Sequence, residues 1–237
     1  MAETRVALVT GGTRGIGAAI VRRLSADGFA VFLSGRTDES VRTALARFAK
    51  EGISVRGFAA DARREEDQRR LVESAAREGG RLDVLVNNAG IGHFAPVDQM
   101  EPESFREVIE TNLFGPFYAV RHAAPIMKKG GGGFIVHIAS LAGVNAFAGG
   151  AAYNASKFGL LGFSEAAMLD LRHAGVRMAT VLPGSVATDW NHSHGDQDAS
   201  WMLAPEDVAE AVADLVRFPD RAIASRIDLR PSRPPKK

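Results

Sequence analysis

Apolar residues recur along this chain with two alternating periods. Short apolar runs between turn residues predict β-strands, and longer amphipathic stretches between those runs predict helices. Strands are predicted at residues 5–10, 29–34, 53–59, 82–87, 133–138, 176–182 and 226–229, and helices at 15–27, 38–50, 65–78, 102–110, 112–128, 152–173 and 205–217. This alternation predicts an α/β fold in which helices cover both faces of a doubly wound parallel sheet of about seven strands.

A glycine-rich stretch follows the first predicted strand. Residues 10–17 read T-G-G-T-R-G-I-G and open the first predicted helix. Glycines let the backbone approach a pyrophosphate, which the N–H groups at a helix N-terminus can bind. The spacing is G-x-x-x-G-x-G instead of the commoner G-x-G-x-x-G, so an ordinary glycine-rich turn between strand and helix is the alternative.

The most informative pair is Tyr153 and Lys157, four residues apart in a predicted helix. Residues at this spacing share one helix face. A nearby cation favours the phenolate, and one unit charge at about 4 Å and an effective dielectric of about 20 contributes up to about 4 kcal/mol. We therefore expect Lys157 to lower the pKa of Tyr153. Taken alone, such pairs are usually solvated helix faces.

Other polar and glycine-containing motifs surround this pair in a fixed order. They are N-N-A-G at 87–90, Asn112, Ser140 and P-G-S-V-A-T at 183–188. With the glycine stretch and the Y-x-x-x-K motif, this chain resembles the classical short-chain dehydrogenase/reductase (SDR) superfamily over residues 3–230. In style it is similar to the 3-oxoacyl-[acyl carrier protein] reductases. The resemblance implies a Rossmann fold and an NADP-dependent oxidoreductase that acts on CH-OH or carbonyl groups.

The resemblance also implies the catalytic roles. Tyr153 is the general acid in carbonyl reduction and the base in alcohol oxidation. Lys157 tunes the phenol and binds the nicotinamide ribose, while Ser140 holds the substrate oxygen. Asn112 keeps a water chain that resupplies protons through Lys157, and a polar residue that caps or kinks a helix is the structural alternative.

Cofactor contacts follow from the same motifs, with Asp61 at the adenine, Asn88 to Gly90 at the adenosine ribose and Thr188 at the carboxamide. The implied set is Gly11, Thr13, Arg14, Gly15, Ile16, Gly17, Arg36, Asp61, Ala62, Asn88, Ala89, Gly90, Tyr153, Lys157, Pro183, Gly184, Val186 and Thr188.

The end of the second strand predicts the choice of nicotinamide cofactor. NAD-specific proteins place an acidic residue there for the ribose 2′-OH, but here Gly35-Arg36-Thr37 precedes the first acid, Asp38. A guanidinium suits a 2′-phosphate, and Arg14 approaches from the glycine stretch. We expect NADPH to be preferred over NADH. The alternative is that both arginines are merely solvated.

The substrate segments follow Gly90, Ser140 and Gly184. They contribute mainly apolar residues, which favours an apolar carbonyl or alcohol; the candidate substrate residues are Phe94, Val144, Phe147 and Trp190. The chain lacks the glycine-rich ending common in 3-oxoacyl-[acyl carrier protein] reductases, so that activity is the alternative. A non-catalytic NADP(H)-sensing module is less favoured, because Ser140, Tyr153 and Lys157 are all present.

Histidines and metal ligands predict little further chemistry. His93, His192 and His194 are expected to be exposed in loops, and polar contacts in the substrate segments are the alternative. No third ligand accompanies His192 and His194, so no metal is expected. His137 is expected to be a core or strand-end residue.

Composition narrows the class of protein. A net charge of +1 argues against nucleic-acid binding, and the absence of cysteine excludes disulfides and thiolate chemistry. We expect one domain over 1–237 with a loose basic tail at 231–237, no membrane span or signal peptide, and a cytoplasmic location.

The family resemblance implies a homotetramer or dimer in which the helices that carry Asn112 and Tyr153 pair. The apolar residues available are Phe117, Val120, Ala124, Leu161, Ala166 and Leu169. Covering the sheet of their own subunit is the competing explanation for these residues.

Overall fold

The computed structural model describes residues 4–188 and 199–235. Its central feature is one seven-stranded parallel sheet with the order β3-β2-β1-β4-β5-β6-β7. The strands are β1 (Val6–Val9), β2 (Ala30–Gly35), β3 (Arg56–Ala59), β4 (Val84–Asn87), β5 (Gly133–Ile138), β6 (Val176–Pro183) and β7 (Arg226–Leu229). The predicted doubly wound α/β fold is confirmed.

In the described part of the chain, seven α-helices accompany these strands. They are α1 (Gly15–Ala26), α2 (Asp38–Lys50), α3 (Glu65–Gly79), α4 (Pro102–Ile109), α5 (Gly115–Lys129), α6 (Ala151–Leu171) and α7 (Pro205–Arg217). In the part of the chain that is described, no helix is long and apolar enough to cross a membrane.

The helices cover the sheet in two layers, each with its own core. On one face α1, α2 and α7 bury residues such as Ile20, Phe48 and Val212 against the strands. On the other face α3, α5 and α6 bury residues such as Leu71 and Met127. The central strands β1 and β4 are buried along their whole length, as expected for a parallel sheet covered on both sides.

The strand order reverses at β1, which places the ligand-binding edge. Val9 lies opposite Leu33 of β2 on one side and opposite Val86 of β4 on the other. The connection from β1 therefore leaves toward β2, whereas the chain later returns to the other side of β1. This reversal opens a crevice at the C-terminal strand ends, where ligands of such sheets bind.

Most element bounds lie within two residues of the predicted ones, and two local features differ more. A π-helical turn, Glu110–Phe114, joins α4 to α5 where two separate helices were predicted. β3 begins at Arg56, three residues later than predicted. Ile53 and Val55, which suggested the longer strand, still pack against the core. Their apolar character thus reflects burial without strand pairing.

Candidate active site

The glycine loop crosses the start of α1 at very close range. A Cβ atom on Gly17 would lie 2.2 Å from the carbonyl oxygen of Gly11, so only glycine fits at this crossing. Gly11 and Gly15 both have positive φ angles, of 63° and 52°, which glycine adopts at little cost. The first N–H groups of α1 have no acceptor within the helix, and they face the C-terminal edge of the sheet.

Asn88 fastens this loop to the neighbouring strand β4. Its Nδ2 donates to the carbonyl oxygens of Thr10 and Gly11, each at 3.0 Å. In return, the backbone N–H groups of Asn88 and Ala89 donate to Thr10 Oγ1 at 3.0 and 3.1 Å. Asn88 therefore holds the glycine loop in shape. The family resemblance implied only a contact with the adenosine ribose and did not predict this role.

Tyr153, Lys157 and Ser140 meet at the edge of the same cleft. Tyr153 and Lys157 lie on one face of α6, and the Lys157 Nζ is 5.6 Å from the centre of the Tyr153 ring. Ser140 follows β5, where its Oγ accepts a hydrogen bond from the Ala142 N–H. The side chains of Ser140 and Tyr153 are hydrogen-bonded to each other. Three of the four groups predicted for catalysis are thus brought together.

The pKa of Tyr153 shifts in the direction opposite to the expected one. Burial raises the pKa of the phenol, and the hydrogen bond with Ser140 opposes that rise only in part. The Lys157 Nζ donates to the Ile138 carbonyl oxygen at 3.0 Å. Burial lowers the pKa of Lys157 from 10.5 to about 8. At neutral pH Tyr153 is therefore protonated, and Lys157 is mostly charged.

Asn112 lies in the π-helical turn and is almost completely buried. Its Oδ1 accepts from the Ile91 N–H at 2.9 Å, and its Nδ2 donates to the Ile91 carbonyl at 2.8 Å and to Ser156 Oγ at 3.0 Å. Ser156 Oγ in turn donates to the Tyr153 carbonyl at 2.8 Å. Asn112 therefore links the loop after β4 to α6 and does not itself reach the cleft.

One cleft of about 610 Å³ joins the glycine loop to these groups. Every cofactor residue predicted from the sequence lines it, together with Ser140. Arg14 and Arg36 both lie on its exposed rim. Thr37 and Ser40 also line it; Thr37 caps α2 by accepting a hydrogen bond from the Ser40 N–H at 3.2 Å.

The comparison with known proteins agrees with this geometry. The model of the short chain dehydrogenase family matches residues 5–199 of the chain. This chain belongs to the short-chain dehydrogenase/reductase family. A putative ketoacyl reductase from Streptomyces coelicolor is 38% identical over 217 residues, which cover 90% of this chain and 83% of that protein.

Solved structures of other SDR proteins share the whole fold. A metagenomic short-chain oxidoreductase in complex with NADP has a TM-score of 0.84 and 35% identity, covering 97% of this chain and 98% of the other. A variant of the actinorhodin polyketide ketoreductase with NADPH has a TM-score of 0.89 and 32% identity, covering 96% of each chain. This SDR is accordingly an oxidoreductase.

A charged network in this SDR was not predicted. Arg63 binds Asp61 through both guanidinium and backbone donors, with the shortest contact at 2.6 Å, and it also pairs with Glu107 at 3.0 Å. These hydrogen bonds hold the pKa of Asp61 below its usual value. His93 Nε2 lies 3.0 Å from the second oxygen of Glu107. The network joins the part of the cleft lined by Asp61 to α4 and to the loop after β4.

The predicted substrate residues occupy different surroundings. The exposed rings of Phe94 and Phe147 pack together at 5.8 Å, and Phe94 meets the Tyr153 ring edge-on at 5.6 Å. Val144 instead packs against the small core around Leu160. Trp190, His192 and His194 lie outside the described residues. The two phenylalanines thus form an apolar wall beside the phenol of this SDR.

The remaining candidates for site chemistry are His137 and a metal-binding cluster. His137 is completely buried in β5, as expected for a core residue, and its Nδ1 lies 3.2 Å from Asn87 Nδ2. Burial lowers the pKa of His137 to about 3, so the ring is neutral. Within residues 4–188 and 199–235, no group of three or more His, Asp or Glu side chains is arranged to hold a metal ion.

Proposed function

We propose that this SDR is an NADPH-dependent oxidoreductase that transfers hydride between the nicotinamide and an apolar carbonyl or alcohol substrate. The observation that carries the proposal is the hydrogen-bonded pair of Tyr153 and Ser140 in one cleft with Lys157 and the glycine loop. A sensing module without turnover does not require this arrangement.

The glycine loop fits a dinucleotide. Its backbone crosses α1 with no room for a side chain at Gly17, and the N–H groups at the start of α1 suit a pyrophosphate. Gly11 to Gly17 would hold the pyrophosphate, Asn88 to Gly90 the adenosine ribose and Thr188 the carboxamide. NADPH supplies the hydride when it is bound.

Tyr153 is proposed to donate the proton that the carbonyl oxygen needs. Its raised pKa keeps the phenol protonated at neutral pH, so the proton to be donated is present in the reductive direction. Ser140 would hold the same oxygen and orient the carbonyl for attack. Lys157 would place a positive charge beside the phenol and the ribose, and Asn112 would fix the loop and helix that frame the site.

NADPH is proposed to be preferred over NADH because Arg14 and Arg36 lie on the cleft rim with no acid at the end of β2. A hydrogen bond to a charged group contributes about 1.5–3 kcal/mol, which corresponds to roughly tenfold or a hundredfold in affinity.

Replacing Arg36 tests the cofactor preference. We expect Arg36→Asp to erode or reverse the ratio of kcat/KM for NADPH over NADH, because a carboxylate repels a 2′-phosphate. Arg42→Asp, at an exposed position of α2, is the matched control. Equal kcat/KM for both cofactors in the unmodified protein would contradict the preference.

The substrate class is tested by turnover. The wall of Phe94 and Phe147 favours apolar or aromatic carbonyl compounds over sugar phosphates. A panel of aldehydes, ketones and quinones is followed by the loss of NADPH absorbance, with a charged sugar phosphate as the contrasting substrate. Lack of turnover on every carbonyl, despite NADPH binding, would favour the sensing module.

A second candidate activity is the reduction of 3-oxoacyl groups on an acyl carrier protein. It is supported by the similarity to a putative ketoacyl reductase and to a polyketide ketoreductase. A 3-oxoacyl thioester of a short pantetheine analogue, compared with the same ester on acyl carrier protein, distinguishes this activity. A much lower KM for the carrier-bound ester would favour it.

Self-association is proposed through the outer faces of α4, α5 and α6. Val120 and Ala124, which were candidates for that interface, are buried against the sheet. Leu161 also packs largely against its own subunit. An exposed apolar face nevertheless remains, made of Phe105, Phe114, Phe117, Phe158, Ala166 and Leu169. Such a face is typical of an interaction surface, and a homotetramer or dimer would cover it.

A further inference from the structure

Arg47 contacts the glycine loop from outside the cleft. It lies near the end of α2, and its Nη2 donates to the carbonyl oxygen of Thr13 at 2.8 Å. Thr13 and Arg14 line the cleft, whereas Arg47 does not. A permanently charged donor thus binds the glycine loop on the side away from the cleft.

The guanidinium of Arg47 packs against the next residue of its own helix. It lies over the buried ring of Phe48, 5.2 Å from the ring centre. Its Nε is buried and is 3.9 Å from a Glu51 oxygen, beyond hydrogen-bond distance. Glu51 is already bound by two hydrogen bonds from Arg22. Among the described residues, the Thr13 carbonyl is therefore the hydrogen-bond acceptor of Arg47.

This contact sets the direction of the peptide between Thr13 and Arg14. The chain has no cis peptide bond among its described residues, and in a trans peptide the C=O and N–H point in opposite directions. Because the Thr13 carbonyl points at Arg47, the Arg14 N–H points away from it. A charged donor on the carbonyl also polarises the peptide, which makes that N–H a stronger donor to an anion.

We propose that Arg47 is a positioning residue for the adenosine 2′-phosphate of NADPH. It orients the peptide before Arg14, and with it the start of that side chain, so that Arg14 and Arg36 converge on the phosphate. The inference rests on the proposed use of NADPH. Arg47 acts through Thr13 and Arg14 and does not touch the nucleotide.

The test is to titrate Arg47→Met with NADPH, and separately with NADH, in the absence of substrate. Binding is measured by the fluorescence of each cofactor. We expect Kd for NADPH to rise by about tenfold, the effect of weakening one charged hydrogen bond from Arg14 to the phosphate. Kd for NADH should rise much less, and kcat at saturating NADPH should stay the same. Arg47→Lys, which keeps a charged donor, should restore part of the affinity.

Arg42→Met is the matched control, because it removes the same type of side chain from an exposed position of the same helix. Thermal unfolding of each variant checks that the fold is intact. Unchanged Kd for both cofactors in Arg47→Met would overturn the inference. An equal loss for NADPH and NADH would also overturn it, since Arg47 would then only stiffen the loop. If the unmodified chain does not bind NADPH, the proposed function itself fails.

Discussion

The phenol of Tyr153 is the group whose proton the proposed reaction moves. Replacing Tyr153 with Phe keeps the ring beside Phe94 and removes the hydroxyl that is bonded to Ser140. We expect turnover to fall by about 10²–10⁴, the usual contribution of a general acid, while Kd for NADPH changes little. Steady-state kinetics and a cofactor titration measure the two effects.

The chain offers a matched control, because it contains two tyrosines. Tyr118 lies on α5, where it packs against Phe117, and Tyr118→Phe makes the same chemical change away from the cleft. Its turnover should remain near that of the unmodified protein. Near-full activity of Tyr153→Phe would show that another group supplies the proton.

Lys157 sets the expected pH dependence. Burial lowers its pKa to about 8 and raises that of Tyr153, so Lys157 loses its proton first as the pH rises. We expect carbonyl reduction at saturating NADPH to decline through about pH 8. A pH–rate profile checks this. If the rate declined only at the higher pH where the phenol ionises, the decline would belong to Tyr153 and not to Lys157.

Lys157 should also make the free energy of unfolding depend on pH, and this contribution rises above about pH 8. The folded pKa of Lys157 lies below the value of 10.5 expected when it is exposed, so between these values the unfolded chain binds more protons. The contribution of Lys157 to the free energy of unfolding therefore rises from about pH 8 to about pH 10.5 and is lowest below pH 8. Urea unfolding of the unmodified chain and of Lys157→Met is measured across this pH range. The difference between the two gives the contribution of Lys157.

At the scale of elements, sequence patterns locate regular helices well. The bounds of α2 and α7 were predicted to the residue, because Thr37 and Pro205 mark their first turns and clear amphipathic patterns follow. The π-helical turn was missed, since its extra residue is stabilised by contacts of Asn112 with Ile91 and Ser156. Those partners are distant in sequence, so local periodicity carries no sign of them.

Asn112→Leu tests what this turn stabilises. The change keeps the size of the side chain but removes three hydrogen bonds and leaves both backbone groups of Ile91 without their partner. We expect the free energy of unfolding to fall by about 1–3 kcal/mol and turnover to fall with it. Urea unfolding and kinetics are measured together.

Asn145→Leu is the control for the same substitution, because Asn145 is exposed in a loop. It should leave the free energy of unfolding almost unchanged. If Asn112→Leu were as stable and as active as Asn145→Leu, the link between the loop after β4 and α6 would have no energetic role.

For the whole molecule, the sequence predicts the sheet and its covering helices better than ion pairs between residues distant in sequence. Alternating strands and helices indicated the sheet, and the motifs after β1, β4, β5 and β6 indicated its active edge. The pair of Arg63 and Glu107 was not predicted, because its members are 44 residues apart and no spacing rule connects them. The Tyr153 pKa was misjudged for a related reason, since burial depends on the complete fold.

Assembly is the prediction at this scale. Phe158 is 47% exposed on α6 and Phe218 is 41% exposed at the end of α7, on the other layer. If the outer faces of α4 to α6 pair between subunits, Phe158→Glu should give a smaller species in sedimentation, while Phe218→Glu should leave the size unchanged. A monomer at micromolar concentration in the unmodified protein would contradict the proposed homotetramer or dimer.

The placement of β1 between β2 and β4 has a consequence for how the chain folds. The Val6 N–H donates to an Asp83 oxygen, 77 residues later, and Asn88 completes the glycine loop across a similar separation. Closing so long a segment costs entropy before these contacts form, which slows folding. A nascent chain that stops before β4 therefore contains the glycine motif but lacks the Asn88 hydrogen bonds that complete the glycine loop. If the chain binds NADPH as proposed, the cofactor can stabilise only chains in which β1 has already paired with β4.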